Sequence, residues 1–83
     1  MEFKNYFFSL PRSEQEAFAQ RAGTSHQMLA QIARGNKQIE LGFADVIVAM
    51  SGGALTLEDI PLTERAEFQS KARVQAAHIS QEA

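Results

Sequence analysis

The sequence predicts an all-α fold, and three observations support this prediction. Apolar residues recur at helical spacing in five segments of the 83-residue chain. Most of these segments begin with a Ser or Thr signal or end with a Gly or Pro signal. A run at Val46 to Val48 could be read as a buried strand, but no second strand candidate exists to pair with it. We therefore predict five helical segments and no strand.

The first two segments are short helices that begin and end at recognisable residues. An apolar stripe at i, i+3, i+4 and i+7 predicts a first helix, which Pro11 ends. The stripe consists of Phe3, Tyr6, Phe7 and Leu10. Ser13 and Glu16 have the spacing of a capping box, so they predict the start of a second helix that runs to Gly23.

The third and fourth segments are predicted from a cap and from continuous apolar character. Ser25 is the predicted N-cap of helix three, which closes at Gly35 and Asn36. The segment from Leu41 to Met50 is apolar at nearly every position. We predict that this fourth helix lies at the centre of the domain.

The remainder of the chain is predicted to form an ordered turn and a helical tail. In the turn at 54–61, Leu55, Leu57 and Ile60 are expected to fold back onto the core. Residues 62–83 contain many helix formers but only a thin apolar stripe, formed by Phe68, Ala72 and Ile79. We divide the chain into a domain at 1–61 and a tail at 62–83. The tail is either an appendage of the same domain or a dimerisation arm, in which case the stripe together with Leu55 and Leu57 supplies the contacts.

Size and composition exclude several classes of protein. A chain of 9.2 kDa is one domain and not a multidomain enzyme. Without Cys, and with His26 and His78 far apart in sequence, neither a disulfide framework nor a zinc site is expected. No apolar segment has the length of a membrane span, and the N-terminal residues lack the pattern of a secretory leader. We therefore expect a cytoplasmic protein without metal or cofactor.

Charge is distributed unevenly along the chain. Residues 1–38 carry five Lys or Arg against three Glu, whereas residues 39–83 carry three against seven acidic residues. The N-terminal half is therefore the better place for an anionic partner, although the excess is too small to predict nucleic-acid binding by itself.

The connection between helices two and three carries the functional prediction. Only Gly23 and Thr24 separate the two helices, so they must cross steeply, as in a helix-turn-helix. Ala19 lies four residues before Gly23, where a small side chain allows the third helix to approach, and Leu29 and Ile32 face inward. These positions predict a DNA-binding helix-turn-helix.

Helical periodicity then assigns an outward face to helix three, consisting of His26, Gln27, Ala30, Gln31 and Arg34. Gln pairs with adenine, Arg pairs with guanine, and an Ala methyl contacts the methyl group of thymine. Phosphate contacts are expected from Gln15, from the helix start at Thr24 and Ser25, and from Asn36 and Lys37.

Three blocks of the sequence resemble a known family. They are residues 18–25, the run Leu-Ala-Gln-Ile-Ala-Arg-Gly at 29–35, and the segment Ser-Gly-Gly-Ala-Leu-Thr followed by Glu-Asp-Ile at 51–60. These blocks are similar to the small phage Cro and YdaS-like regulators of the lambda-repressor-like helix-turn-helix group. The resemblance covers about residues 3–60. It implies a five-helix domain that binds a double-stranded operator as a homodimer and regulates transcription, sometimes within a prophage. The chain departs from the family at Met28, where relatives commonly have an aromatic residue, and in the less basic segment at 37–40.

Two classes of function follow from these observations. The first is a nucleoid-associated repressor in which helix three reads an inverted-repeat operator. The second is a protein-interaction module, such as an antitoxin or antirepressor, that binds a protein partner through its acidic tail. Catalysis is not expected, because the acidic pairs Glu14/Glu16 and Glu58/Asp59 lack a facing base, metal ligand or pocket.

Overall fold

The computed structural model describes the backbone of residues 1–82 and the side chains of residues 1–74. Its helices are α1 (Phe3–Ser9), α2 (Arg12–Arg21), α3 (His26–Ala33), α4 (Leu41–Met50) and α5 (Glu64–Glu82), with a 3-10 turn at Leu57–Asp59. Within residues 1–82 there is no strand, only an isolated parallel bridge between Ile39 and Leu62. The all-α prediction of five helical segments is confirmed for this part of the chain.

Aromatic side chains of α1 and α2 form one end of the core. Phe3 and Phe7 of α1 are fully buried, and so is Phe18 of α2. The rings of Phe7 and Phe18 meet edge to face with their centroids 6.4 Å apart, which is a favourable arrangement for two aromatic groups. Tyr6 and Leu10 are half-buried against the same cluster, so the predicted stripe of the first helix is confirmed.

The start of α2 differs from the prediction. The N-cap is Pro11, at φ −57°, and no side chain caps the helix. Ser13 lies inside the first turn, and the Glu16 carboxylate instead accepts a hydrogen bond from Nε of Arg12 at 3.1 Å. The predicted capping box is therefore wrong, because proline already sets the backbone angle at which a helix begins.

The fourth helix has the predicted bounds but not the predicted position. Only Leu41, Ala44 and Ile47 of α4 are buried, while Val46 on the opposite side is exposed. α4 thus packs against the core by one stripe, and the prediction that it lies at the centre is wrong. In a domain of this size, few helices can be surrounded on all sides.

The turn after α4 folds back onto the core as predicted. Leu55 and Ile60 are buried and Leu57 is half-buried. The carboxylate of Asp59 accepts the backbone N–H of Thr56 at 2.9 Å, and this hydrogen bond holds the pKa of Asp59 below its ordinary value. Since Leu55 is only 2% exposed, the prediction that it contacts a second copy is wrong.

The core continues past residue 61 into the first turn of α5. Leu62 and Ala66 belong to the buried cluster, and Oγ1 of Thr63 accepts the backbone N–H of Ala66 at 3.1 Å. Farther along α5, Arg73 donates two hydrogen bonds to the Asp45 carboxylate, at 3.1 and 3.3 Å.

The described part of the predicted apolar stripe of the tail is turned away from the domain. Phe68 is 74% exposed, and Ala72 is exposed as well. Ile79 lies outside the residues whose side chains the structure describes. The described part of the stripe is therefore free to contact another molecule.

Candidate nucleic-acid interface

The connection between α2 and α3 is held by backbone hydrogen bonds around Gly23. Gly23 has φ +78°, its N–H donates to the carbonyl of Gln20 at 3.1 Å, and the N–H of Thr24 donates to the carbonyl of Ala19 at 3.0 Å. This pair of hydrogen bonds is a Schellman motif, which ends a helix through a left-handed residue. Gly23 thus holds the left-handed conformation that glycine adopts without strain.

The start of α3 is fixed by the predicted cap. Ser25 has extended backbone angles, and its Oγ accepts the backbone N–H of Met28 at 3.1 Å. This hydrogen bond satisfies one of the free N–H groups at the helix start. The N-cap prediction is confirmed, and α3 begins directly after a two-residue connection and a cap.

One face of α3 packs into the domain. Leu29 and Ile32 are buried as predicted, and Ala19 of α2 is buried with them. Ala30 is buried too, at 5% exposure, so its predicted position on the outward face is wrong. Its methyl group belongs to the core and is not available to a thymine.

The opposite face of α3 presents polar side chains. Gln27 and Arg34 are exposed, and Gln31 is half-buried one turn from Gln27. The residues around this face are Thr24, which is half-buried, and Ser25, Asn36 and Lys37, which are exposed. The structure therefore brings these predicted DNA-binding residues to the ends and the outward face of one helix.

Gln15 and His26 form a polar contact beneath this face. Nε2 of His26 lies 2.7 Å from Oε1 of Gln15, and Nε2 of Gln15 donates to the carbonyl of Leu10 at 2.9 Å. Gln15 is only 8% exposed, so its amide is used inside the protein and the predicted phosphate contact is not supported by its placement. His26 is half-buried, with its ring centroid 5.6 Å from that of Phe7. Sequence spacing alone does not reveal this contact.

Phe8 is a residue of this surface that the sequence did not indicate. Phe8 lies on α1 and is 38% exposed, and the guanidinium carbon of Arg34 lies 5.4 Å from the centroid of its ring. That distance is within the range of a cation–π contact. Phe8 also meets Phe7 edge to face at 5.4 Å. The adjacent rings of α1 thus support both His26 at the start and Arg34 at the end of α3.

Comparison with known proteins gives no relative. No protein-family model, curated protein or solved structure matches this chain. The resemblance to Cro and YdaS-like regulators therefore depends on the three sequence blocks alone.

Two cationic side chains lie at the C-terminal end of α3. Arg34 and Lys37 are exposed there, three residues apart. At the start of α2 the charges are mixed, since Glu14 is exposed and Arg12 is already paired with Glu16 at 3.1 Å. The charges beside Arg34 are mixed as well, because Glu2, Glu58 and Asp59 line the same pocket.

The described residues also lack two other kinds of site. Among the described residues, no group of three or more His, Asp or Glu side chains is placed to hold a metal ion. No helix in the described part of the chain is long and apolar enough to cross a membrane.

Proposed function

We propose that this protein is a sequence-specific DNA-binding regulator of transcription, a Cro-like repressor of the lambda-repressor-like helix-turn-helix type. The observation that carries the proposal is the outward face of α3, where Gln27, Gln31 and Arg34 stand on a helix joined to α2 by a two-residue Schellman turn. In this proposal α3 enters the major groove, which is wide enough for one helix.

Gln27 and Gln31 are the proposed base-reading residues. They are four positions apart, so their side chains follow each other along one side of the helix. A glutamine amide presents a donor and an acceptor that match the N6 and N7 positions of adenine. Ala30 is excluded from base reading by its burial. The expected operator therefore contains adenines at positions within reach of these two amides.

Residues at the two ends of α3 are the proposed phosphate contacts. Ser25 and Thr24 precede the helix, and Asn36 and Lys37 follow it. Groups in such positions meet the sugar-phosphate strands on either side of the groove and fix the register of the helix. Their contribution to affinity depends on salt but carries no sequence information.

A second copy is part of the proposal because one helix reads only a few base pairs. Two recognition helices about 34 Å apart would reach successive major grooves of an inverted repeat. The exposed Phe68 and Ala72 of α5 offer a contact surface that lies outside α3.

Binding-site selection from a random duplex library tests the proposed function directly. We expect wild-type protein to enrich one sequence, and Gln27→Ala or Gln31→Ala to cost about 1 to 3 kcal/mol on that sequence and much less on random DNA. Gln69→Ala, at an exposed glutamine of α5, is the matched control and should leave discrimination unchanged. Equal losses of affinity on both duplexes for the α3 variants would contradict base reading.

A protein-interaction module is the second candidate, and an apolar groove favours it. An open groove of about 520 Å³ lies between the 3-10 turn and α5, with Leu57, Ile60 and Val74 among its lining residues. Val74 is 66% exposed, and the acidic residues Glu58 and Glu67 also line the groove. Salt dependence separates the two functions: duplex affinity that falls steeply with salt indicates phosphate contacts, whereas no duplex binding at low salt favours a protein partner.

A further inference from the structure

We propose that Phe8 is a positioning residue that holds the Arg34 guanidinium for contact with a backbone phosphate of the bound duplex. This inference rests on the proposed DNA-binding function. It assigns Arg34 to the phosphate backbone instead of to guanine, and it gives a role to an aromatic side chain of α1.

The contacts of the Arg34 side chain leave its guanidinium available to a ligand. Arg34 lies over the Phe8 ring at 5.4 Å, and no carboxylate within residues 1–74 forms a salt bridge with it. A cation–π contact uses none of the hydrogen-bond donors of a guanidinium, so the N–H groups of Arg34 stay available to an acceptor. Arg12 and Arg73 differ, because each donates to a carboxylate.

The position of Arg34 at the end of α3 favours a phosphate over a base. Arg34 follows Gln27 by seven residues, about two turns or 10 Å along the axis, and caps the C-terminal end of α3. The N-terminal end of a recognition helix contacts the bases, so its C-terminal end approaches the edge of the groove. The contact with Phe8 also places the guanidinium beside α1. A phosphate is therefore the acceptor that it would meet.

Phe8 presents part of its surface to solvent beside Arg34. It is 38% exposed, whereas Phe7 is fully buried. Its edge-to-face contact with Phe7 fixes the orientation of the ring. An arginine that is ordered before binding loses less conformational freedom when it meets its phosphate.

Duplex binding by four variants tests this inference. Arg34→Ala should weaken binding to selected and random duplexes alike and should reduce the slope of log affinity against log salt by about 0.9. Phe8→Leu should weaken binding to both duplexes about two- to fivefold, the effect of one exposed cation–π contact, and Phe8→Tyr should restore wild-type affinity. Arg73→Ala removes the same charge from an arginine already paired with Asp45, and it should leave the salt slope unchanged.

The double variant distinguishes positioning from packing. In the Arg34→Ala background, Phe8→Leu should have no further effect on duplex affinity, since the group that it positions is gone. An equal loss in that background, or no loss from Phe8→Leu alone, would overturn the inference while wild-type binding still supported the proposed function. Wild-type protein that binds no duplex at low salt would instead overturn the proposed function, and this inference with it.

Discussion

At the scale of single residues, the contact between Gln15 and His26 connects α2 and α3. The Gln15 amide lies between the Leu10 carbonyl and the His26 ring, at 2.9 and 2.7 Å. His26 is the first residue of α3, and its ring also rests on Phe7. The start of α3 is therefore tied to both α1 and α2, so these contacts help to set the angle at which it leaves the domain.

Gln15→Ala should destabilise the protein because it leaves the Leu10 carbonyl and the His26 nitrogen without this partner. We expect a loss of about 1 to 3 kcal/mol in the free energy of unfolding, measured by urea denaturation. In a double-mutant cycle, His26→Ala should cost less in the Gln15→Ala background than in wild type. Gln20→Ala, at an exposed glutamine of the same helix, should change stability by less than about 0.5 kcal/mol.

A direct phosphate contact by Gln15 would give a different result. Gln15→Ala would then lower duplex affinity but leave the urea midpoint close to that of wild type. An unchanged midpoint would therefore contradict the internal role that the burial of Gln15 indicates.

At the scale of the elements, α2 and α3 end in the same way. Gly35 has φ +81°, and the N–H of Asn36 donates to the carbonyl of Gln31 at 2.9 Å, which repeats the arrangement around Gly23. Both chain reversals thus depend on a left-handed residue and on backbone hydrogen bonds. Neither glycine is crowded, since a Cβ at Gly23 or Gly35 would have no atom within 4 Å.

Gly23→Ala should destabilise the fold by backbone strain alone. A left-handed conformation costs a residue with a Cβ about 1 to 2 kcal/mol, and Gly23→Val should cost more because its side chain is branched. Gly42→Ala is the matched control, since Gly42 has open space and lies within α4. That control should stabilise the protein by about 0.5 to 1 kcal/mol.

Thermal or urea unfolding distinguishes these variants, and duplex binding reports their effect on α3. We expect Gly23→Val to abolish binding because the reversal into α3 is distorted, whereas Gly42→Ala should bind as wild type does. Wild-type melting and binding for Gly23→Val would contradict the assignment of the motif.

Local signals predicted the element boundaries well, but they did not predict how the elements are oriented. The bounds of α4 and the cap at Ser25 follow from sequence, because apolar runs and N-cap side chains act within a few residues. Ala30 was misplaced since it stands at the border of the buried face, where periodicity does not decide between core and solvent. The contact of Arg34 with Phe8 joins positions 26 residues apart in sequence, so it depends on packing.

At the scale of the whole molecule, the two halves of the chain are joined by the core. The Ile39–Leu62 bridge and the buried Ala66 attach the start of α5 to the domain. A chain that ended at Pro61 would lose Leu62 and Ala66 from the core. A truncation there would therefore test stability, and a surface substitution is the better test of assembly.

Beyond Ala66, the length of α5 exceeds what the core can cover. A helix of 19 residues is about 28 Å long, and its described contacts with α4 include the Arg73–Asp45 pair at the surface. A surface ion pair contributes little, about 0 to 1 kcal/mol. Phe68 lies on this helix with 74% of its surface exposed, and contact with a second copy would remove that apolar surface from water.

Phe68→Gln should weaken self-association without unfolding the chain. Burying one Phe contributes about 1.5 to 3 kcal/mol, and a two-fold interface contains two copies, so the dimer dissociation constant should rise at least about tenfold. Light scattering over a concentration series measures the assembly. Melting of the dilute monomer should be unchanged, because Phe68 is not part of the buried core. Val46→Gln, at an exposed apolar residue of α4, is the control and should leave assembly intact.

A weaker dimer should also lose affinity for a full inverted repeat but keep its affinity for a half-site. An undiminished Phe68→Gln dimer would contradict the role of the exposed stripe, and the interface would then lie elsewhere, with the groove at Leu57 and Val74 as the next surface to test.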